Sequence, residues 1–334
     1  MRPFALFAAI AFVAPAAAAD IAAGDKSALD AALSRAAPGD RVLLAPGAYG
    51  DLALGPRRGK GAVTLAAADP SAPPVFRSIL LRDAEEVTLD GLAVVYGVAA
   101  DPLAQSAVEV RRSSSIRLQG MLVSSADNGV AGDDAYGVFI RDSRAVTIAE
   151  STFTDLFRGV AAFDSVDVAV SGNRFFRIGS DGVVARGAVG LSVENNRFTD
   201  FTPADPARWH PDAVQLWSRG AARANERIVI RGNIIRRGDG GATQGVFIKS
   251  PEIASRSILI EGNTIDQSMG QGIFVQNGVD VTIRNNLLSA AEPVIHPPAV
   301  EVRAPFEGAV VEDNDAPKFR LPAGVAARGN RISP

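Results

Sequence analysis

The chain has 334 residues, a formal net charge of -3 and no cysteine. Without cysteine it carries no disulfide, no thiolate metal site and no thiol nucleophile, so its stability must come from core packing. With 34 Lys and Arg against 37 Asp and Glu and no run of basic residues, it lacks the positive footprint that neutralises phosphates, which argues against nucleic acid as a partner.

The N-terminus has Arg2, an apolar run from Phe4 to Pro15 and the small residues Ala16 to Ala19. A basic start, a short apolar segment and an Ala-x-Ala site predict a signal peptide over residues 1–19, and the run is too short for a membrane span. No later stretch is long and apolar enough to span, so residues 20–334 are expected to form one exported domain, secreted or periplasmic and monomeric. That length would ordinarily split into two globular units, but a repeat architecture can carry it as one. From Ser27 to Ala36, Leu29, Ala32 and Leu33 fall on one face and predict a short amphipathic helix capping the first repeat. Next come the turn Pro38-Gly39-Asp40, a strand over Val42 to Leu44, and the turn Pro46-Gly47-Ala48-Tyr49.

One phrase then recurs, an alternating apolar strand followed by Gly or Asn and then Asn. Its strong copies end at Asn173, Asn196, Asn233, Asn263 and Asn286, and weaker ones at Asn314 and Asn330; upstream, Leu92, Met121 and Ser151 replace the Asn. Successive strong Asn residues are 23, 37, 30 and 23 positions apart. A turn of a parallel β-helix with loop insertions explains both the period and its variation. Stacking would place each Asn above the next at about 4.8 Å, in an internal amide ladder. The stretch from Pro293, with Pro297, Pro298, Pro305, Pro317 and Pro322, is expected to be an irregular last turn or tail.

A second phrase opens another strand in each turn: Tyr136-Gly137-Val138, Arg158-Gly159-Val160, Asp181-Gly182-Val183, Asp212-Ala213-Val214, Gln244-Gly245-Val246 and Gln271-Gly272-Ile273. Beyond it Ile140, Ala162, Ala185, Leu216, Ile248 and Val275 should face inward. Their neighbours should form outward columns.

These features, with the opening Ala37 to Tyr49, resemble the pectin-lyase-like superfamily of right-handed parallel β-helices; the N-terminal part is most similar to the alginate lyase and chondroitinase B branch. The resemblance implies an all-β fold and action on an acidic polysaccharide, in a superfamily that also holds hydrolases, C5-epimerases and tailspikes. Within it, the phrase Phe247-Ile248-Lys249 resembles the Arg-Ile-Lys of polygalacturonase-like hydrolases, and His210-Pro211-Asp212 resembles the Asp-Pro-His of mannuronan epimerases in reversed order.

The residues nominate a site. The longest interval between Asn marks contains Trp209, His210 and Asp212, and insertions on a rigid solenoid are where binding residues are commonly placed. The pre-Gly column runs Arg158, Asp181, Asp212, Gln244. It brings Asp181 and Asp212 onto neighbouring turns about 5 Å apart, where they would share a proton or bind Ca²⁺. The outward column Arg186, Trp217, Lys249, with Gln215 beside Trp217, offers two cations around an aromatic platform for uronate sugars. Read as a lyase performing β-elimination, Arg186 or Ca²⁺ at Asp181 and Asp212 neutralises the C6 carboxylate. Lys249 or His210 then exchanges protons at C5 and O4, with Asp212 in the same machinery. Trp209, Gln215, Trp217, Arg158 and Gln244 line the sugar. The alternatives are a hydrolase using the two carboxylates, a C5-epimerase using the same base, and a polysaccharide-binding protein without turnover.

Overall fold

The computed structural model describes residues 18–333 except 102, 126–128, 130–133, 204, 206–209 and 268. Residues 1–17 of the expected signal peptide, and Trp209, therefore fall outside the described residues. A helix, α1 (Lys26–Arg35), is started by Asp25, whose carboxylate accepts from the Ala28 N–H at 2.8 Å as an N-cap. Leu29 and Ala32 of α1 are buried and Leu33 packs partly against the same core, so the helix closes the N-terminal end as expected.

Beyond it the chain coils through three strands per turn, each paired in parallel with its equivalents one turn before and after. Val166–Ser171 lies between Arg144–Ala149 and Val189–Glu194. Arg174–Ile178 lies between Thr152–Leu156 and Arg197–Thr199. Arg158–Phe163 lies between Tyr136–Arg141 and Val183–Arg186. Three parallel faces around one apolar interior make a parallel β-helix, and no helix among the described residues is long and apolar enough to cross a membrane.

The Asn ladder is continuous. The N–H of each Asn donates to Oδ1 of the next, from Asn173 to Asn196 at 2.9 Å and on through Asn233, Asn263, Asn286, Asn314 and Asn330. Each amide Nδ2 also donates to a strand carbonyl of the turn before, as Asn233 does to Val193 O at 2.8 Å. The residue preceding each Asn turns the corner with positive φ, 67° at Gly172 and 56° at Asn195, which explains why Gly or Asn stands there. Upstream the ladder passes to Ser151, whose N–H donates to Asn173 Oδ1 at 2.9 Å and whose Oγ accepts from Met121 N.

The Gly of the second phrase answers to packing. Phe153, Phe175 and Phe198 stack in register with centroids 4.9 and 4.6 Å apart, and a Cβ on Gly159 would lie 2.6 Å from Phe175 and 2.4 Å from Gly182 O. The inward residues Ile140, Ala162, Ala185, Leu216, Ile248 and Val275 are buried. The C-terminal expectation is corrected: the turns continue through Ala299–Glu307, Val310–Glu312, Lys318–Arg320 and Ala326–Arg328. Pro297 and Pro298 sit before a strand, and the pairing slips a register between Gln276 and Gly278, opposite Arg303 and Phe306. That slip accommodates Pro305, which has no N–H to give the ladder.

Candidate functional site

The face built from Arg158–Phe163, Val183–Arg186, Asp212–Trp217 and Gln244–Lys249 carries the nominated residues. Register confirms the row: Phe163 pairs with Arg186, Arg186 with Trp217, and Trp217 with Lys249. Arg158, Phe163, Arg186, Gln215, Trp217 and Arg219 line a groove of about 300 Å³. The Arg186 guanidinium lies 4.7 Å from the Phe163 ring centroid and 3.9 Å from Asp164, so it is held over the groove by a ring and a carboxylate.

Asp181 and Asp212 are adjacent, with the Asp212 N–H donating to Asp181 Oδ1 at 3.3 Å. Both were expected on an open outward column, but both are covered, with exposures of 1% and 0%. Arg158, itself mostly covered, lies against Asp181 with Nε 2.9 Å from Oδ2, and its Nη1 donates to the Tyr136 hydroxyl at 2.7 Å. Gln215 Nε2 donates to Asp212 Oδ2, and the Trp217 indole N–H donates to Gln215 Oε1. His210 stands over this buried set, its Nδ1 4.0 Å from Asp212 Oδ2 and its ring 6.3 Å from that of Phe247.

Burial pushes both carboxyls up, but the causes then diverge. Asp181 is opposed by the Arg158 guanidinium and the Asp212 N–H. Asp212 has the charge of Asp181 added to its burial and is raised well above the usual carboxylate range. Burial and mutual repulsion thus favour a proton on the pair, and the guanidinium against Asp181 favours the charged form there.

Two expectations change. The carboxylates are not placed to attack a sugar, because both are buried beneath Gln215 and Arg158, so a hydrolase built on Asp181 and Asp212 loses its geometry. The pair also fits Ca²⁺ poorly. A guanidinium already lies against Asp181, and the described residues contain no group of three or more acidic or histidine side chains able to hold a metal, where Ca²⁺ takes six to eight oxygens. Arg158 touches the groove but mainly fixes Asp181. Gln244, paired in register with Asp212, is 5% exposed and belongs to the wall.

Sequence reasoning passed over Phe247, Arg219 and Tyr136. Phe247 was readable, since it pairs with Gln215 and Phe274 in the same column, and its ring stacks 4.7 Å from that of Phe274. Arg219 lies past the strand end, where periodicity gives no direction.

Residues 106–292 match the family described as "Right handed beta helix region", and no curated protein matches the sequence. Among solved structures the chain is similar to an alginate lyase from Paenibacillus sp. str. FPU-7, at 16% identity over 94% of this chain and 99% of that one, with a TM-score of 0.57. It is similar to the Dettilon tailspike protein at 12% identity, over 92% of this chain and 62% of that one, with a TM-score of 0.62. The PfbA surface adhesin of Streptococcus pneumoniae aligns at 12% identity over 92% and 95%, with a TM-score of 0.54. At these identities the likeness is one of fold. The family match spans more than half of the sequence and agrees with the stacked parallel turns, so the chain belongs to the right-handed β-helix family.

Proposed function

We propose that this protein is an exported enzyme that cleaves a uronate-containing polysaccharide by β-elimination along the groove lined by Arg158, Arg186 and Trp217, with Lys249 one turn beyond Trp217. The observation that carries the reading is the row Arg186, Trp217, Lys249 on successive turns, with the His210 imidazole 4.0 Å from the buried Asp212 carboxyl. Arg186 and Lys249 stand one inter-turn step, about 4.8 Å, on either side of Trp217. An indole face between two cations suits sugar rings with carboxylates on either side.

Elimination needs the uronate C6 carboxylate neutralised, which acidifies the C5 proton, and a group to take that proton and supply one to O4. Arg186 and Lys249 serve the first need. His210 serves the second: its imidazole accepts the C5 proton, the C5–H pair becomes the C4–C5 double bond, the C4–O4 bond breaks, and the imidazolium protonates the departing O4. Lys249, the base favoured from sequence, becomes in this geometry a clamp on a carboxylate. No step requires a metal.

The test is incubation with a panel of uronate polymers, alginate first, following the ultraviolet absorbance of the conjugated double bond that only elimination creates. A rise with one polymer and none with neutral glucans is expected. A folded protein that binds a uronate polymer without that absorbance, and without new reducing ends, is a binding protein and not a lyase.

A further inference from the structure

The column that holds Arg186, Trp217 and Lys249 does not stop at the groove. Toward the N-terminus it continues through Phe163 to Arg141, Arg111 and Arg82, each in direct register with the next. Three arginines stacked on adjacent turns of one face are an unfavourable arrangement, because like charges directly opposite one another repel. The local carboxylates only partly offset it: Glu109 meets Arg111, and Asp142 lies 3.7 Å from Arg141. Burial and the neighbouring guanidiniums of Arg82, Arg141 and Arg112 push Arg111 below its ordinary value. Arg111 and Arg141 also border a separate cleft of about 200 Å³, with Tyr136, Phe139, Ser106 and Gln105.

Phe139 forms the apolar side of this cleft. Arg111 lies 5.9 Å from its ring centroid, and the ring meets Phe163 edge-on at 5.3 Å. Phe163 in turn supports Arg186 at the start of the main groove. A cation-and-aromatic surface thus runs unbroken between the two concavities. Arg141 is four inter-turn steps from Lys249, roughly 19 Å at the usual spacing.

We propose that the Arg82, Arg111 and Arg141 stack with its Phe139 cleft is a second, distal subsite that binds a carboxylate of the same anionic chain, so that the protein selects long polymer over short fragments. This rests on reading the groove as a uronate site. The arginine stack is the half of the surface that an extended chain reaches and a short one cannot, and each bound carboxylate relieves the repulsion within it.

The test uses equilibrium binding of an oligomannuronate trimer and octamer to the full chain carrying His210→Gln, so that ligand is not consumed. The octamer is expected to bind more tightly than the trimer. Adding Arg141→Gln should lower octamer affinity on the order of tenfold, as for a lost charge-assisted hydrogen bond, with a much smaller effect on the trimer. Arg82→Gln, also at an exposed position, should act in the same direction. An equal loss for both lengths, or none for the octamer, overturns the distal subsite while the groove stands. If neither oligomer binds with Arg82 and Arg141 intact, the uronate reading of the groove falls and this inference with it.

Discussion

The indole N–H of Trp217 donates to Oε1 of Gln215, which fastens the platform of the groove to the side chain that also grips buried Asp212. Gln215 is 5% exposed and joins the wall of the groove to the carboxyl pair beneath it. Gln215→Leu keeps approximate volume but removes both bonds. It should destabilise the protein by about 1–3 kcal/mol, because a buried carboxyl is left without its donor. Chemical denaturation measures this, and an unchanged midpoint would show that the bonds contribute nothing.

Asp212 gives a pH signature. Its folded-state pKa is raised, so its contribution to stability is fully present below the unfolded carboxylate value of about 3.9 and is lost as pH rises toward the folded value. Asp212→Asn cannot ionise. The melting temperature of the variant relative to the parent should therefore rise as pH increases from about 4 to neutrality. A difference that is flat with pH would mean that Asp212 is ionised in the folded protein at low pH like any surface carboxylate.

His210 and Lys249 can be separated by their side-chain chemistry. His210→Gln should lower turnover by about 10²- to 10⁴-fold, the range for a lost general acid–base group. Lys249→Arg keeps the charge and should retain much of the turnover, with the change mainly in KM. The opposite pattern, turnover abolished in Lys249→Arg because a guanidinium cannot accept a proton and preserved in His210→Gln, would move the base to Lys249.

Asn233→Ala tests the ladder away from the site. The side chain donates to Val193 O and Asn263 Oδ1 and accepts from the N–H and amide of Asn196. Removing it strands partners in a fully buried place and should cost about 1–3 kcal/mol. A substitution of exposed Arg174 serves as the comparison in thermal melts, and equal melting temperatures would remove the ladder from the stability argument.

Chelation is the remaining check. The guanidinium against Asp181 supplies the positive charge that Ca²⁺ would otherwise bring, so dialysis against EDTA should leave both the melting temperature and elimination unchanged. Loss of either, restored by Ca²⁺ alone, would place a cation in the mechanism.

Much of this architecture was legible in the sequence because its determinants are local and periodic. The ladder needs Asn at one corner of every turn, a positive-φ residue before it and Gly where the Phe153, Phe175 and Phe198 column crowds the next strand, so spacing and residue type carry the fold. Columns on the site face were legible for the same reason. The burial of Asp181 and Asp212 was not, since alternation says which side of a strand a residue takes and nothing about which loop or side chain then covers it. The bonds from Trp217 to Gln215 to Asp212 depend on rotamers within one strand, which no repeat encodes. The C-terminal prolines misled because Pro297 and Pro298 precede a strand and Pro305 falls at a register slip, so the turns continue past them.

The two ends of the coil are finished differently. The helix Lys26–Arg35 covers the first turn, whereas the last strands, Ala326–Arg328 and Arg331–Ile332, are exposed throughout. In a structure whose turns touch only their neighbours, opening spreads inward from the least protected terminus. Amide exchange should therefore be fastest after Pro322 and slow progressively toward Asn173.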